Sequence, residues 1–176
     1  LPPLDGPLKV VVIDSKSENP QQDMDENWVA MIDALGHAST ISDPSILSSE
    51  EFFDGTDVLI VSSGIKSIPP QDIATLLAFV ESGKGLYIQS EYLANYGGNI
   101  AFASVAQSLG ADFTWTGKVT GQLKPVAVNG CLSGHDGCAG ELPYFWYAQS
   151  GQSTAEGFEP FLDKDGKDIG FSYCPP

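Results

Sequence analysis

Apolar residues fall along the chain in two alternating textures. Short unbroken runs, "KVVVID" from Lys9 to Asp14, "DVLIVSSG" from Asp57 to Gly64 and "GLYIQS" from Gly85 to Ser90, have the character of strands covered on both faces. Between them lie segments of helical period. In "WVAMIDALG" the residues Trp28, Met31, Ile32 and Leu35 recur at helical spacing and Gly36 is placed to end the helix. "PPQDIATLLAFVESGKG" starts with proline where a helix tolerates it, sets Ile73, Leu76, Leu77 and Val80 on one face, and stops at Gly83. "NIAFASVAQSLG" repeats the pattern and ends at Gly110. "ASTIS" is a short second strand, "SSEEFFDG" a helical turn capped by Ser48 or Ser49, and "ADFTWTG" a further strand. This alternation predicts an α/β fold with a doubly wound, mostly parallel sheet and helices on both faces. After Gly117 the pattern loosens. Its last clear feature is "FEPFLDKDGKDIGFSY", two extended runs about Asp165-Gly166 that predict a late β-hairpin.

With 176 residues the chain is long enough for one domain, 1–176, in which the proline-rich stretch 1–7 reads as the remnant of a linker and the whole as a module of a longer polypeptide. The net charge is −15, and all eight basic residues are lysines. A chain this acidic and without arginine is repelled by nucleic acid and by anionic membranes, so nucleic-acid binding is excluded as a function class and the charge reads as a solubility device. No segment is apolar enough to insert in a membrane. The start carries no basic and apolar leader, so any secretion signal has been removed or was never present.

The order of these segments resembles the class I glutamine amidotransferase-like superfamily, a flavodoxin-like fold. More narrowly, it resembles the noncatalytic members found inside secreted, multi-domain bacterial proteins. The resemblance rests on the succession of "VVVID" with a polar acidic loop, "WVAMIDALGH", "DVLIVSSG", "LLAFVESGKGLYIQSEYL", "FASVAQSLGADFTWTG" and the late hairpin, over about residues 8 to 174. It implies a secreted or cell-surface setting. Catalytic members of the superfamily carry a nucleophilic cysteine between glycines in the turn after the strand that matches "LYIQ", completed by a later His and Glu. Here that turn reads Gln89, Ser90, Glu91, Tyr92, without cysteine, and the chain stops at Cys174-Pro175-Pro176 where family members tend to add one more apolar strand.

Candidate chemistry is sparse. Ser90 as a nucleophile would need small neighbours two positions away on each side, but these are Ile88 and Tyr92. Were it active, His135 would be the base, with Asp136 or Glu91 orienting it. Glu91 lies where ligands bind in such sheets and is a candidate general base or ligand for a hydroxyl or cation; its plainer role is a solvated or capping carboxylate. Asp14, with Asp23, Asp25 and Asn27 at alternate positions, offers oxygen ligands. It lacks the glycine and distal glutamate of a calcium loop, and an N-capped solvated loop explains it more simply. "DKDGKD" is explained by its turn. Cys131 and Cys138 enclose "LSGHDG" and are expected to form a disulfide, which leaves Cys174 over; zinc at these cysteines and His135 lacks the paired knuckle spacing. No metal is expected from these patterns, and no cofactor, since neither a nucleotide nor a flavin finds a glycine-rich phosphate loop after "VVVID". The aromatic run Tyr144 to Tyr147 either lids the local core or, through Tyr144 and Trp146, stacks on a sugar or anchors a partner; Asp14, Glu91 and Tyr92 are further candidate ligand-binding residues. Two functions remain: a noncatalytic module packing on neighbouring domains or binding a protein or glycan partner, and a hydrolase or amidase using Ser90 or Glu91 with His135.

Overall fold

The computed structural model describes residues 6–16, 23–120, 126–128, 141–142 and 147–173. The chain divides into two compact units, 1–89 and 90–176.

In the first unit the three apolar runs form strands β1 (Lys9–Ile13), β3 (Val58–Val61) and β4 (Gly85–Ile88), and "ASTIS" forms β2 (Ala38–Ser42). All pair in parallel in the order β2-β1-β3-β4. Parallel neighbours need long crossovers, and the helical segments supply them: α1 (Met24–Ala34), a 3-10 turn (Pro44–Ser48), α2 (Glu50–Gly55) and α3 (Pro70–Glu81). Strand alternation sorts the core into two layers. Val10, Val12 and Ile60 lie on one face with Ile32, Trp28 and Val29 of α1 and with Tyr87. Ile13 and Val61 lie on the other, with Leu47 and Leu76, where Phe52 of α2 stacks on Phe79 of α3 at 4.8 Å. The fold is α/β and flavodoxin-like, with helices on both faces of the sheet.

The helical pattern misplaces one stripe. The helical spacing points Met31 of α1 and Leu35, just past its end, inward, yet they are 47% and 68% exposed, and the stripe against the sheet runs through Trp28, Val29 and Ile32. With apolar residues at overlapping helical spacings on an eleven-residue helix, period alone does not choose between stripes; the sheet edge it covers does. The glycines that end the helices behave as expected, with φ of 84° at Gly36, 86° at Gly83 and 100° at Gly110.

The second unit holds α4 (Gly97–Ser108) and, among the described residues, only antiparallel strands. β5 (Thr114–Thr120), read as one more strand of the parallel sheet, instead pairs antiparallel with β8 (Tyr147–Gln152) in a separate ribbon. A second sheet takes β6 (Val126–Val128), β7 (Glu141–Leu142), β9 (Phe158–Lys164) and β10 (Lys167–Tyr173) in the order β10-β9-β6-β7. The late hairpin is β9–β10, and its turn has φ 53° at Asp165 and 78° at Gly166, the mirror-image turn geometry that Asp-Gly accepts. The core here is aromatic: Phe113, fully buried, meets Trp115 edge to face at 4.7 Å, with Phe102, Phe158 and Phe171 around it.

Asp112 fixes the corner between α4 and β5. Its carboxylate accepts from the Ser153 hydroxyl (2.6 Å), the Thr154 amide (2.7 Å) and the Thr154 hydroxyl (2.5 Å), hydrogen bonds to the charged form that hold its pKa well below the usual carboxylate range. A lowered folded-state pKa contributes stability that is present above the usual aspartate value and lost as pH falls through that range toward the folded pKa. The acid limb of a Tm-against-pH curve is therefore expected to flatten in Asp112→Asn, while the curve near neutrality shifts down.

Candidate functional site

In sheets of this topology, ligands bind beyond the carboxyl ends of the strands where the chain changes direction, here between β1 and β3. The residues that leave those ends are Asp14 and Ser15 after β1, and Ser62 and Ser63 after β3. The crevice is filled from within. Asp25, in the first turn of α1 and 1% exposed, turns its carboxylate onto them: it accepts from the Ser15 amide (2.8 Å), the Ser15 hydroxyl (2.9 Å) and the Ser62 hydroxyl. A position in the first turn of a helix suits a carboxylate, because the unpaired amides there carry positive potential. Ser15, Ser62 and Ser63 are themselves buried. The neighbouring dent, lined by Ile13, Pro44, Val61, Lys66 and Asp72, has room for about one water.

The other oxygens of the acidic loop are engaged locally. Asp14 accepts from the Lys16 amide at 2.8 Å, and the Lys16 ammonium contacts Asp23 at 3.4 Å and Glu26 at 2.9 Å. Asp14 and Asp23 thus share Lys16, through its amide and its ammonium, while Asp25 has partners of its own in Ser15 and Ser62. No group of three or more His, Cys, Asp or Glu among the described residues could hold a metal ion.

The turn after β4 in sequence carries Ser90, Glu91 and Tyr92. Its shape is set by Asn99, which is fully buried at the start of α4. The Asn99 side chain accepts from the Glu91 amide (3.0 Å) and donates to the carbonyls of Glu91 (2.7 Å) and Leu93 (2.9 Å). Ser90 is half-buried, and its hydroxyl has no hydrogen-bond partner among the described residues. It is not in the left-handed region: Asp165 is the only non-glycine residue with positive φ among those described. Nucleophile elbows hold their serine under strain, and Ser90 lacks that conformation.

Glu91 is half-buried, and desolvation lifts its carboxyl above the usual range. Tyr92 meets Tyr96 edge to face at 5.6 Å, the Tyr96 hydroxyl donates to that of Tyr92 at 3.4 Å, and the Lys118 ammonium sits 4.4 Å from the Tyr92 ring centre. Asn99, Tyr96 and Lys118 were not picked out in the sequence. An asparagine in the first turn of a helix whose end is glycine-rich is a detectable signal; the lysine, some twenty residues on, gives none. His135, Tyr144, Trp146 and the cysteines Cys131, Cys138 and Cys174 lie outside the described residues, and so does the expected disulfide.

The arrangement is akin to known structures. The chain aligns with a GMP synthase subunit protein from Thermoplasma acidophilum at 17% identity and TM-score 0.57, over 97% of this chain and 80% of that one. It aligns with the protein SMU.1228c at 12% identity and TM-score 0.61, over 96% and 73%. A ThuA-like protein from Bacteroides uniformis matches at 10% identity and TM-score 0.57, over 94% and 77%. At these identities the likeness is one of fold alone. No family model matches the chain, and no match is found among curated proteins.

Proposed function

We propose that this chain is a noncatalytic amidotransferase-like module of a secreted or cell-surface bacterial protein, which packs on neighbouring domains or binds a protein or glycan partner. The observation that carries this reading is the filled crevice: the place where this sheet topology binds a small ligand is occupied by the Asp25 carboxylate and its two serines. The relaxed backbone at Ser90, in a turn without cysteine, supports it further. The polar surface next to Ser90 in the second unit, Glu91 with Tyr92 and Tyr96, offers carboxylate and aromatic contacts of the kind that partners or sugars use.

The second reading, a hydrolase or amidase with Ser90 or Glu91 and His135, has one observation in its favour. Burial raises the Glu91 carboxyl above the usual range, the direction that a general base needs. Labelling with a fluorophosphonate, with Ser90→Ala as control, separates serine catalysis from the preferred reading. No labelling above background is expected; labelling abolished by Ser90→Ala would sink it.

A further inference from the structure

Among the described residues β2 is the outermost strand of the parallel sheet, and it pairs with β1 residue for residue without a bulge. The Ala38 amide donates to the Leu8 carbonyl, and the Ser42 carbonyl accepts from the Asp14 amide. The peptide groups of residues 38, 40 and 42 therefore turn to β1, and the alternation of the ladder sends those of Ser39 and Ile41 outward. Sheet edges are ordinarily blunted by lysine, proline or a bulge, and "ASTIS" has none of these.

The surroundings narrow what fits there. Three of the five large apolar side chains left exposed among the described residues, Met31, Leu35 and Ile41, lie on α1 and β2 or just past the end of α1, at this end of the sheet. The stretch 23–43 that contains both elements holds no lysine or arginine; of its five carboxylates Asp25 is buried and Asp23 and Glu26 pair with Lys16, which leaves Asp33 and Asp43, both exposed, to give this edge its charge. A second copy of this chain would set one acidic edge against another, in a molecule of net charge −15.

We propose that the outer edge of β2 docks an extended, lysine- or arginine-bearing segment of a partner polypeptide by strand addition. Main-chain hydrogen bonds come from Ser39 and Ile41, apolar contacts from Ile41 and the outer face of α1, and charge attraction from the carboxylates. This rests on the reading of the chain as a binding module and names the class of partner.

The test is selection of a displayed library of random heptapeptides on the full chain, followed by titration of the enriched peptides. Enrichment of peptides with alternating β-branched residues and at least two basic ones is expected. Ile41→Pro removes an outward amide without touching the ladder to β1, and Ile41→Lys adds a repelling charge at the same place. Each is expected to weaken binding by about tenfold or more with little change in Tm. The proposal is overturned if no peptide is enriched, if the enriched peptides are not basic, or if both variants bind them as the parent does. It is also overturned if the parent chain self-associates in the ultracentrifuge and Ile41→Pro abolishes this, since the occupant is then a second copy. Loss of the proposal with no labelling at Ser90 leaves the noncatalytic reading standing, whereas labelling at Ser90 removes that reading itself.

Discussion

Asn99→Ala is expected to lower the unfolding free energy by about 3 kcal/mol, seen as a drop in Tm of roughly 6–10 °C and a matching shift of the urea midpoint. Three hydrogen bonds end on this one buried side chain, to the Glu91 amide and to the carbonyls of Glu91 and Leu93. Alanine leaves all three without a partner in a site that is closed to solvent at Asn99. Asn99→Asp is the sharper variant. A carboxylate keeps the bond to the Glu91 amide but turns an oxygen toward two carbonyls where the amide donated, which raises its pKa in the folded state. A raised pKa means that the penalty is absent at pH below the usual aspartate value and grows as pH rises through that value, levelling off above the folded one. Asn99→Asp should therefore approach the parent in stability near pH 4 and fall away toward neutrality, while Asn99→Ala stays uniformly destabilised. If Asn99→Ala melts within about 2 °C of the parent, the turn is not held by Asn99.

The parts of this fold that were legible in the sequence are those where local chemistry and tertiary need agree. "KVVVID" and "DVLIVSSG" are the two inner strands of a parallel sheet, buried on both faces, so burial wrote itself as unbroken apolar runs. "GLYIQS" carries the same signature more weakly, and its strand is only half-buried at the border of that sheet. Asp165-Gly166 specifies its turn by backbone conformation alone. What failed to show was pairing direction and side-chain destination. "ADFTWTG" reads as a strand, but nothing in seven residues says that β8, some thirty positions later, will pair with it antiparallel. Asp25 illustrates the same gap for the site. By spacing it belongs with Asp14, Asp23 and Asn27 as one more solvated oxygen, and its neighbours Asp23 and Glu26 do lie outside against Lys16. Only the crossover of α1 over the ends of β1 and β3 turns Asp25 inward, and that is a long-range fact.

Asp25→Ala is accordingly expected to be among the most damaging single changes in the first unit, costing about 3–4 kcal/mol. It removes a charged acceptor that serves one amide and two hydroxyls at a position 1% exposed, and it leaves the Ser15 amide buried without a partner. The hydroxyls of Ser15 and Ser62 can rotate toward other acceptors, but an amide cannot, so the greater part of the loss belongs to Ser15. Ser62→Ala should consequently cost only about 1–2 kcal/mol, and Asp25→Asn should fall between, because its amide keeps one acceptor oxygen but presents donors to donors. Asp33→Ala on the same helix is the control: its carboxylate accepts a single bond, 2.6 Å from the Ser39 hydroxyl, and is exposed, so its loss should stay below about 1 kcal/mol. Urea unfolding of these four variants, with a double-mutant cycle between positions 25 and 62, measures the coupling directly. If the carboxylate serves to close the crevice, the cycle shows a coupling of at least about 1 kcal/mol and Asp25→Ala is far more costly than Asp33→Ala. Equal, small losses at the two aspartates would mean that the crevice stands open in solution, and the case against a ligand site between β1 and β3 would go with it.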